Sequence, residues 1–287
     1  MSHALGTTGV FTSLGRSRSS GLATTSEAAE AAGFSSLWIA DVRGDLTFAG
    51  EMLAATRDLV VGTAVLSIWD LEAEDAGRLW QDHEAHHPGR FVLGVGPSHP
   101  SLVAAKGQTY DKPLTRTEAY LDTLDRSGPQ HDARILGANG PKMLQLAARR
   151  SLGAITQNVT VAATASQRNL LGPDAILAAE VKIVVGGSSE DVGRIGRANL
   201  SHYLGMPSYR KNLTSMGFTD DDLDDGGSDR LLDALVTGPD PDAIRTRIAA
   251  HRDAGADHVS LHVLTDQPAA PLDEWKALGA LLELEAG

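Results

Sequence analysis

Two periodicities take turns along this chain, one of about two residues and one of about three and a half, and their alternation predicts the fold class. Gly9–Ser13 is a short apolar run that predicts a strand. Thr25–Ala32 carries Ala and Glu at helical spacing and ends at Gly33, a residue suited to the left-handed cap that closes a helix. Ser36–Ala40 is a compact strand ending at Asp41, and Leu59–Ile68 is the longest β-branched run. Glu74–His86 returns to helix, and Arg90–Val95 is again strand, bounded by Gly94 and Gly96.

The second half repeats the pattern. Arg134–Leu136 predicts a strand, Gly137–Pro141 a turn and Lys142–Arg150 a helix. Gly153–Asn158 and Val181–Val185 predict two further strands, with a helical insertion over residues 199–225. Asp229–Val236 and Pro241–Ala254 predict helices, and His258–Leu264 a last strand. Strands separated by helices build a parallel sheet, and seven or eight of them suit a closed (β/α)8 TIM barrel of the α/β class. The expectation is one domain over residues 1–287, with an open doubly wound sheet as the alternative.

In His258–Val263 alternate side chains face opposite ways. Val259, Leu261 and Val263 suit the outer face that packs on helices, which turns His258, Ser260 and His262 into the barrel. Barrel sites lie at the C-terminal ends of strands, so His262 is better placed than His258 for chemistry, the alternative being a hydrogen-bonded interior histidine.

Composition narrows the function classes. The 37 acidic against 25 basic residues leave a net charge of −12, the wrong sign for a nucleic-acid partner. An anionic cofactor stays possible, since helix N-termini bind phosphate inside acidic proteins. The chain has no cysteine, so disulfides, thiolate metal sites and a cysteine nucleophile are excluded. Met1–Gly9 lacks the basic and apolar regions of a signal peptide, and no run reaches the roughly 18 apolar residues of a membrane span. A soluble cytoplasmic protein with a small-molecule substrate and no membrane partner is expected.

Several motifs are missing or bland. There is no Gly-x-Ser-x-Gly elbow, no phosphate-loop lysine and no complete Gly-x-Gly-x-x-Gly, which disfavours a nicotinamide Rossmann domain. His83 and His87 share a helix face, but the His86-His87-Pro88-Gly89 ending reads as a helix terminus, so no metal site is expected. Asp220–Asp225 reads as a solvated acidic loop. Tyr203, Tyr209 and Arg210 in the insertion suit either a lid or an oligomer contact.

Six segments in order resemble the luciferase-like monooxygenase superfamily, and within it the deazaflavin (coenzyme F420)-dependent oxidoreductases. They span residues 29–39, 59–69, 89–99, 136–144, 226–230 and 253–259, nearly the whole chain. The resemblance implies a barrel with the cofactor ring across its C-terminal mouth. Asp41 matches the position that hydrogen-bonds the deazaflavin or relays protons, although a carboxylate after a strand also serves as a helix cap. Ala64-Val65 matches a non-proline cis peptide whose bulge backs the ring. Gly94-Val95-Gly96-Pro97-Ser98 and Gly137-Ala138-Asn139-Gly140 match the phosphate-holding turns, with Lys142 beside the second. His99 is a candidate substrate contact or a solvent-facing loop histidine, and Trp69 a candidate pocket wall or packing residue.

The chain departs from the family at Asp70–Glu74, where an Arg-Asp-Pro-like segment is usual, and at Thr156–Val159, where a His-Pro-Tyr-like one is. The expected function is hydride transfer between coenzyme F420 and a small organic substrate, with Asp41, His99 and His262 as catalytic candidates and a homodimer as the assembly. The alternatives are an FMN-dependent monooxygenase and a non-catalytic flavin-binding protein on the same barrel.

Overall fold

The computed structural model describes residues 5–285. Met1–Ala4, part of the stretch expected to carry no export signal, lie outside the described residues. Strand β1 (Thr8–Ser13) leads through α1 (Leu14–Ser20) and α2 (Leu22–Ala31) to β2 (Ser36–Ala40), and α3 (Phe48–Ala54) leads to β3 (Val60–Thr63) and β4 (Leu66–Ser67). Next come α4 (Ala73–His86), β5 (Phe91–Gly96), α5 (Pro100–Ala104), α6 (Pro113–Ser127), β6 (Arg134–Gly137), α7 (Pro141–Arg150) and β7 (Gly153–Thr156). After α8 (Val161–Leu171) and β8 (Ile176–Ile183) stand four helices in a row, α9 (Ser189–Leu204), α10 (Pro207–Ser215), α11 (Asp220–Leu223) and α12 (Asp229–Leu235). The chain ends with β9 (Val236–Thr237), α13 (Pro241–Asp253), β10 (His258–Val263) and α14 (Leu272–Leu281).

Every strand pairing is parallel, and the sheet closes on itself. Strand β10 pairs with β1 through Phe11↔His262 and with β8 through Val263↔Ile183. Counting β3 and β4 as one interrupted strand, and setting aside the short β9 paired to the end of β8, eight strands form a TIM barrel. Closure excludes the open sheet.

The two faces of the strands sort as the alternation in β10 predicts. Val259, Leu261 and Val263 join the layer between strands and helices with Val10, Leu37 and Val181. Inside the barrel Phe11, Trp38, Val60, Val92, Ile135 and Ile155 pack on one another. Inward His258 sits low in this interior, accepting from Trp38 Nε1 at 3.0 Å and pairing with the Gly6 carbonyl at 2.9 Å.

Three boundaries differ from expectation. Strand β8 begins at Ile176, not Val181; the Ala-Ala-Glu of 178–180 has helix-forming composition, but Ala178 and Ala179 pair with both β7 and β10 and Glu180 with β10. The insertion begins with α9 rather than at residue 199, because Ser188 and Asp191 form a capping box at its start. Its helices share a separate apolar cluster with Leu204, Leu213, Phe218 and Leu231. Gly94 and Gly96, expected in a turn, lie within β5.

Candidate active site

The mouth at the C-terminal strand ends, where barrel sites form, is shaped by the break between β3 and β4. The Ala64-Val65 peptide there is cis, and both residues line a cavity of about 700 Å³. What lies behind them explains three glycines. A Cβ on Gly96 would stand 2.7 Å from Val65 Cγ2, and one on Gly137 3.2 Å from both Val65 methyls. A Cβ on Gly94 would stand 1.8 Å from the Thr63 carbonyl oxygen. Gly94 and Gly96 are therefore packing partners of the bulge and do not line the cavity, unlike Pro97, Ser98 and His99 just beyond them.

The facing wall is the β6–α7 turn, with Ala138, Asn139, Gly140 and Lys142 at the cavity. Asn139 fixes this turn to the end of β7: its Nδ2 donates to the Gln157 carbonyl at 3.0 Å and its Oδ1 accepts from Gln157 N at 3.1 Å. Gly140 is the N-cap of helix α7, with Pro141 in its first turn and no side-chain cap. Its first turn lines the cavity without a capping side chain, and the amides after Pro141 are an arrangement that favours an anion. Lys142 and, from α10, Lys211 add positive charge.

The insertion closes the mouth from above. Tyr209 packs its ring 4.9 Å from that of His99 and donates its hydroxyl to Gln157 Oε1 at 3.0 Å. His99 Nδ1 pairs with Ser208 Oγ at 2.6 Å. Burial, with His202 adding, lowers the His99 pKa and favours its neutral form. Tyr203 stands edge-on to Tyr209 at 4.9 Å and covers the Lys182 ammonium at 4.7 Å. Burial, then the Glu180 carboxylate, pushes both phenols up.

Beneath Tyr203 lies a charged group that joins the candidate His262 to Glu180 and Lys182, two residues not among the sequence candidates. Glu180 Oε1 accepts from Lys182 Nζ and from His262 Nδ1, each at 2.7 Å. Glu180 and Lys182 are two apart on one strand and so share its inner face, a signal lost when β8 is begun at Val181.

The other candidates separate. Asp41 follows β2 at the mouth, exposed and at φ 57°, but does not line the cavity. His262 lies in the interior below Tyr203, also outside the cavity lining. Trp69 faces a second cavity of about 560 Å³ with Arg116 4.5 Å over its ring, and its Nε1 donates to the Pro97 carbonyl at 2.9 Å. Asp70, in the departing segment, pairs with Lys106. His83 pairs with the Leu46 carbonyl at 2.9 Å and His87 accepts from Arg90 at 3.1 Å, so the two histidines have separate partners. In the acidic run, Asp222 caps α11 and pairs with Arg230.

A sequence comparison now bears on the site: residues 7–128 match the family model described as luciferase-like monooxygenase. That stretch includes β1 to β5, with Asp41, Ala64, Val65 and His99. No curated protein matches the chain by sequence. Solved structures share the whole fold. An F420-dependent secondary alcohol dehydrogenase in complex with an F420-acetone adduct aligns with a TM-score of 0.75 at 13% identity, over 97% of this chain and 98% of that one. The coenzyme F420-dependent tetrahydromethanopterin reductase of Methanopyrus kandleri aligns at 0.72 and 13%, over 98% and 99%. The FMN-bound oxygenating constituent of 3,6-diketocamphane monooxygenase, from the CAM plasmid of Pseudomonas putida, aligns at 0.67 and 14%, over 95% and 96%. At these identities the likeness establishes the fold. Among the described residues, no helix is long and apolar enough to cross a membrane.

Proposed function

We propose that this chain is an oxidoreductase that binds a deazaflavin, coenzyme F420, in the mouth cavity and transfers a hydride between it and a small organic substrate. The observation that carries the reading is the cavity itself. About 700 Å³ is the size of a small-molecule site. Its inner wall is made by Ala64, Val65 and Ile155, and its far end by the uncapped start of α7 with Lys142 and Lys211. A flat apolar ring joined to an anionic tail fits that polarity. Such a cofactor supplies the hydride chemistry, and the protein supplies orientation and exclusion of water.

In this reading Val65 and Ala64 set the height of the ring, and the α7 amides with Lys142 hold the tail's phosphate. Gly140, beside which an added Cβ would meet nothing within 4 Å, leaves room for it. Neutral His99, oriented by Ser208, can exchange a proton with a group in the cavity, and the aromatic face of Tyr209 excludes water beside it. Asp41, at the rim, is the candidate to hydrogen-bond the ring edge.

A second reading, FMN as the cofactor of a monooxygenase, is favoured by one feature. Glu72 and Glu74 line the neighbouring cavity and would repel a long polyanionic tail, which FMN lacks. Parallel fluorescence titrations with deazaflavin and FMN separate the two. Saturation by deazaflavin alone supports the first reading, saturation by FMN alone the second, and binding of neither rejects both.

A further inference from the structure

The charged group under the tyrosines has no place in the reading above, and its construction is costly for a purely structural element. Glu180 and Lys182 are each 1% exposed. A buried ion pair of this kind is weak support for stability, because desolvation offsets its Coulomb attraction. Here every lone pair in use is assigned. Glu180 Oε1 takes Lys182 Nζ and His262 Nδ1, and Oε2 accepts from the Asn158 amide at 3.0 Å. Burial pushes the Glu180 carboxyl up, but Lys182 and His262 outweigh it and hold it below the usual carboxylate range.

The state of His262 follows from that bonding. An ionised carboxylate only accepts, so the imidazole proton must sit on Nδ1 and Nε2 carries a bare lone pair. A carboxylate holds the histidine of a catalytic triad in the same way. Burial and the neighbouring Lys182 lower the His262 pKa, with Glu180 opposing and Arg16 adding, so the neutral form is favoured. Among the described residues Nε2 has no hydrogen-bond partner, and the side chain remains 10% exposed.

Two further observations mark the space around it as one that takes a polar guest. Ser260 Oγ, inward on the same strand, is buried without a partner among the described residues. Asn158, 2% exposed and bonded to Glu180 through its backbone N–H, leaves both side-chain polar atoms without a partner among the described residues. The edge-to-face pair Tyr203 and Tyr209 links this group to the cavity: Tyr203 lies on Lys182, and Tyr209 lines the cavity. Gly205 and Met206 join the two helices that carry them.

We propose that His262 is an acid–base residue of this barrel, positioned by Glu180, whose free Nε2 is reached from the cavity when Tyr203 and Tyr209 move aside. The inference rests on the mouth being the reaction space, but its test needs no cofactor. Diethyl pyrocarbonate acylates neutral imidazole, and mass spectrometry of the purified full chain reads each histidine separately. Slow modification of His262 in the wild type and at least tenfold faster modification in Tyr203→Ala, with buried His258 unmodified in both, is the expected result. Nitrogen NMR of the labelled protein reads the tautomer by difference against His262→Gln. Wild type should show the Nδ1–H form, and the charge-free double variant Glu180→Met/Lys182→Met a shift toward Nε2–H. His262 unreactive in a folded Tyr203→Ala, or an unchanged tautomer in the double variant, overturns the proposal. Failure of deazaflavin to bind, with these results intact, would remove only the cofactor reading.

Discussion

Gly96→Ala is the perturbation whose size can be worked most directly from the structure. The added methyl would stand 2.7 Å from Val65 Cγ2, whereas carbon atoms rest about 3.5–4.0 Å apart. Something must yield by about 1 Å. Residue 96 is in a strand paired with β4 and β6 and is fully buried, so its backbone is held. Valine has stiff side-chain torsion, so the yielding group is Val65 as a whole, and the open direction is the cavity it lines. Overpacking of this kind costs about 1–3 kcal/mol, which lowers the melting temperature by about 2–4 °C per kcal/mol in a chain of this size class. The displaced valine would raise the inner wall under the cofactor ring, and we expect at least tenfold weaker deazaflavin binding, about 1.4 kcal/mol. Gly15→Ala is the control, since the exposed helical position meets only Ser13 Oγ at 4.0 Å. It should hold or raise stability and leave binding unchanged. The assay is calorimetric melting with fluorescence titration on the same preparations. A folded Gly96→Ala that binds deazaflavin as the wild type does would refute the assignment of Val65 as the ring's support.

Other expectations follow from the same geometry. Tyr209→Phe removes the hydrogen bond to Gln157 Oε1 and should cost about 1 kcal/mol, read by urea unfolding; an unchanged midpoint would show that the bond is not formed in solution. The double charge reversal Lys142→Glu with Lys211→Glu should weaken deazaflavin binding at least tenfold at low salt and flatten its salt dependence, while melting moves little. Stability should fall in mild acid, because burial holds both His251 and His258 down at about 4. The unfolded chain protonates these residues first, so their contribution is complete above about pH 6.5 and is lost as pH falls toward 4, about 2 kcal/mol each by pH 5. Urea unfolding at pH 7 and pH 5 checks this, and a flat profile would contradict the buried, neutral assignment.

What could be read from residues alone depended on which physical signal each element carried. In β10 the outward Val259, Leu261 and Val263 contrast with inward polar residues, so period two was plain and the inward turn of His262 followed from it. In β8 the residues Ala178, Ala179 and Glu180 imitate a helix, because an interior of charged and small side chains erases the apolar alternation. That hid Glu180 and Lys182. The interruption after Thr63 is invisible in a β-branched run and was expected only through family resemblance. Gly94 and Gly96 look like turn residues, yet their need for space comes from Thr63 and Val65 on a neighbouring strand, a tertiary contact that no local pattern records. Likewise Ser208 and Lys211 reach the cavity only because the insertion folds back over the mouth.

The central claim is the place of the cofactor, and a crystal structure of the deazaflavin-loaded protein tests it most directly. The account predicts a tricyclic ring against Ala64 and Val65, its phosphate at the start of α7 beside Lys142. A ring bound instead in the neighbouring cavity between Trp69 and Arg116, or anywhere away from Val65, would contradict it.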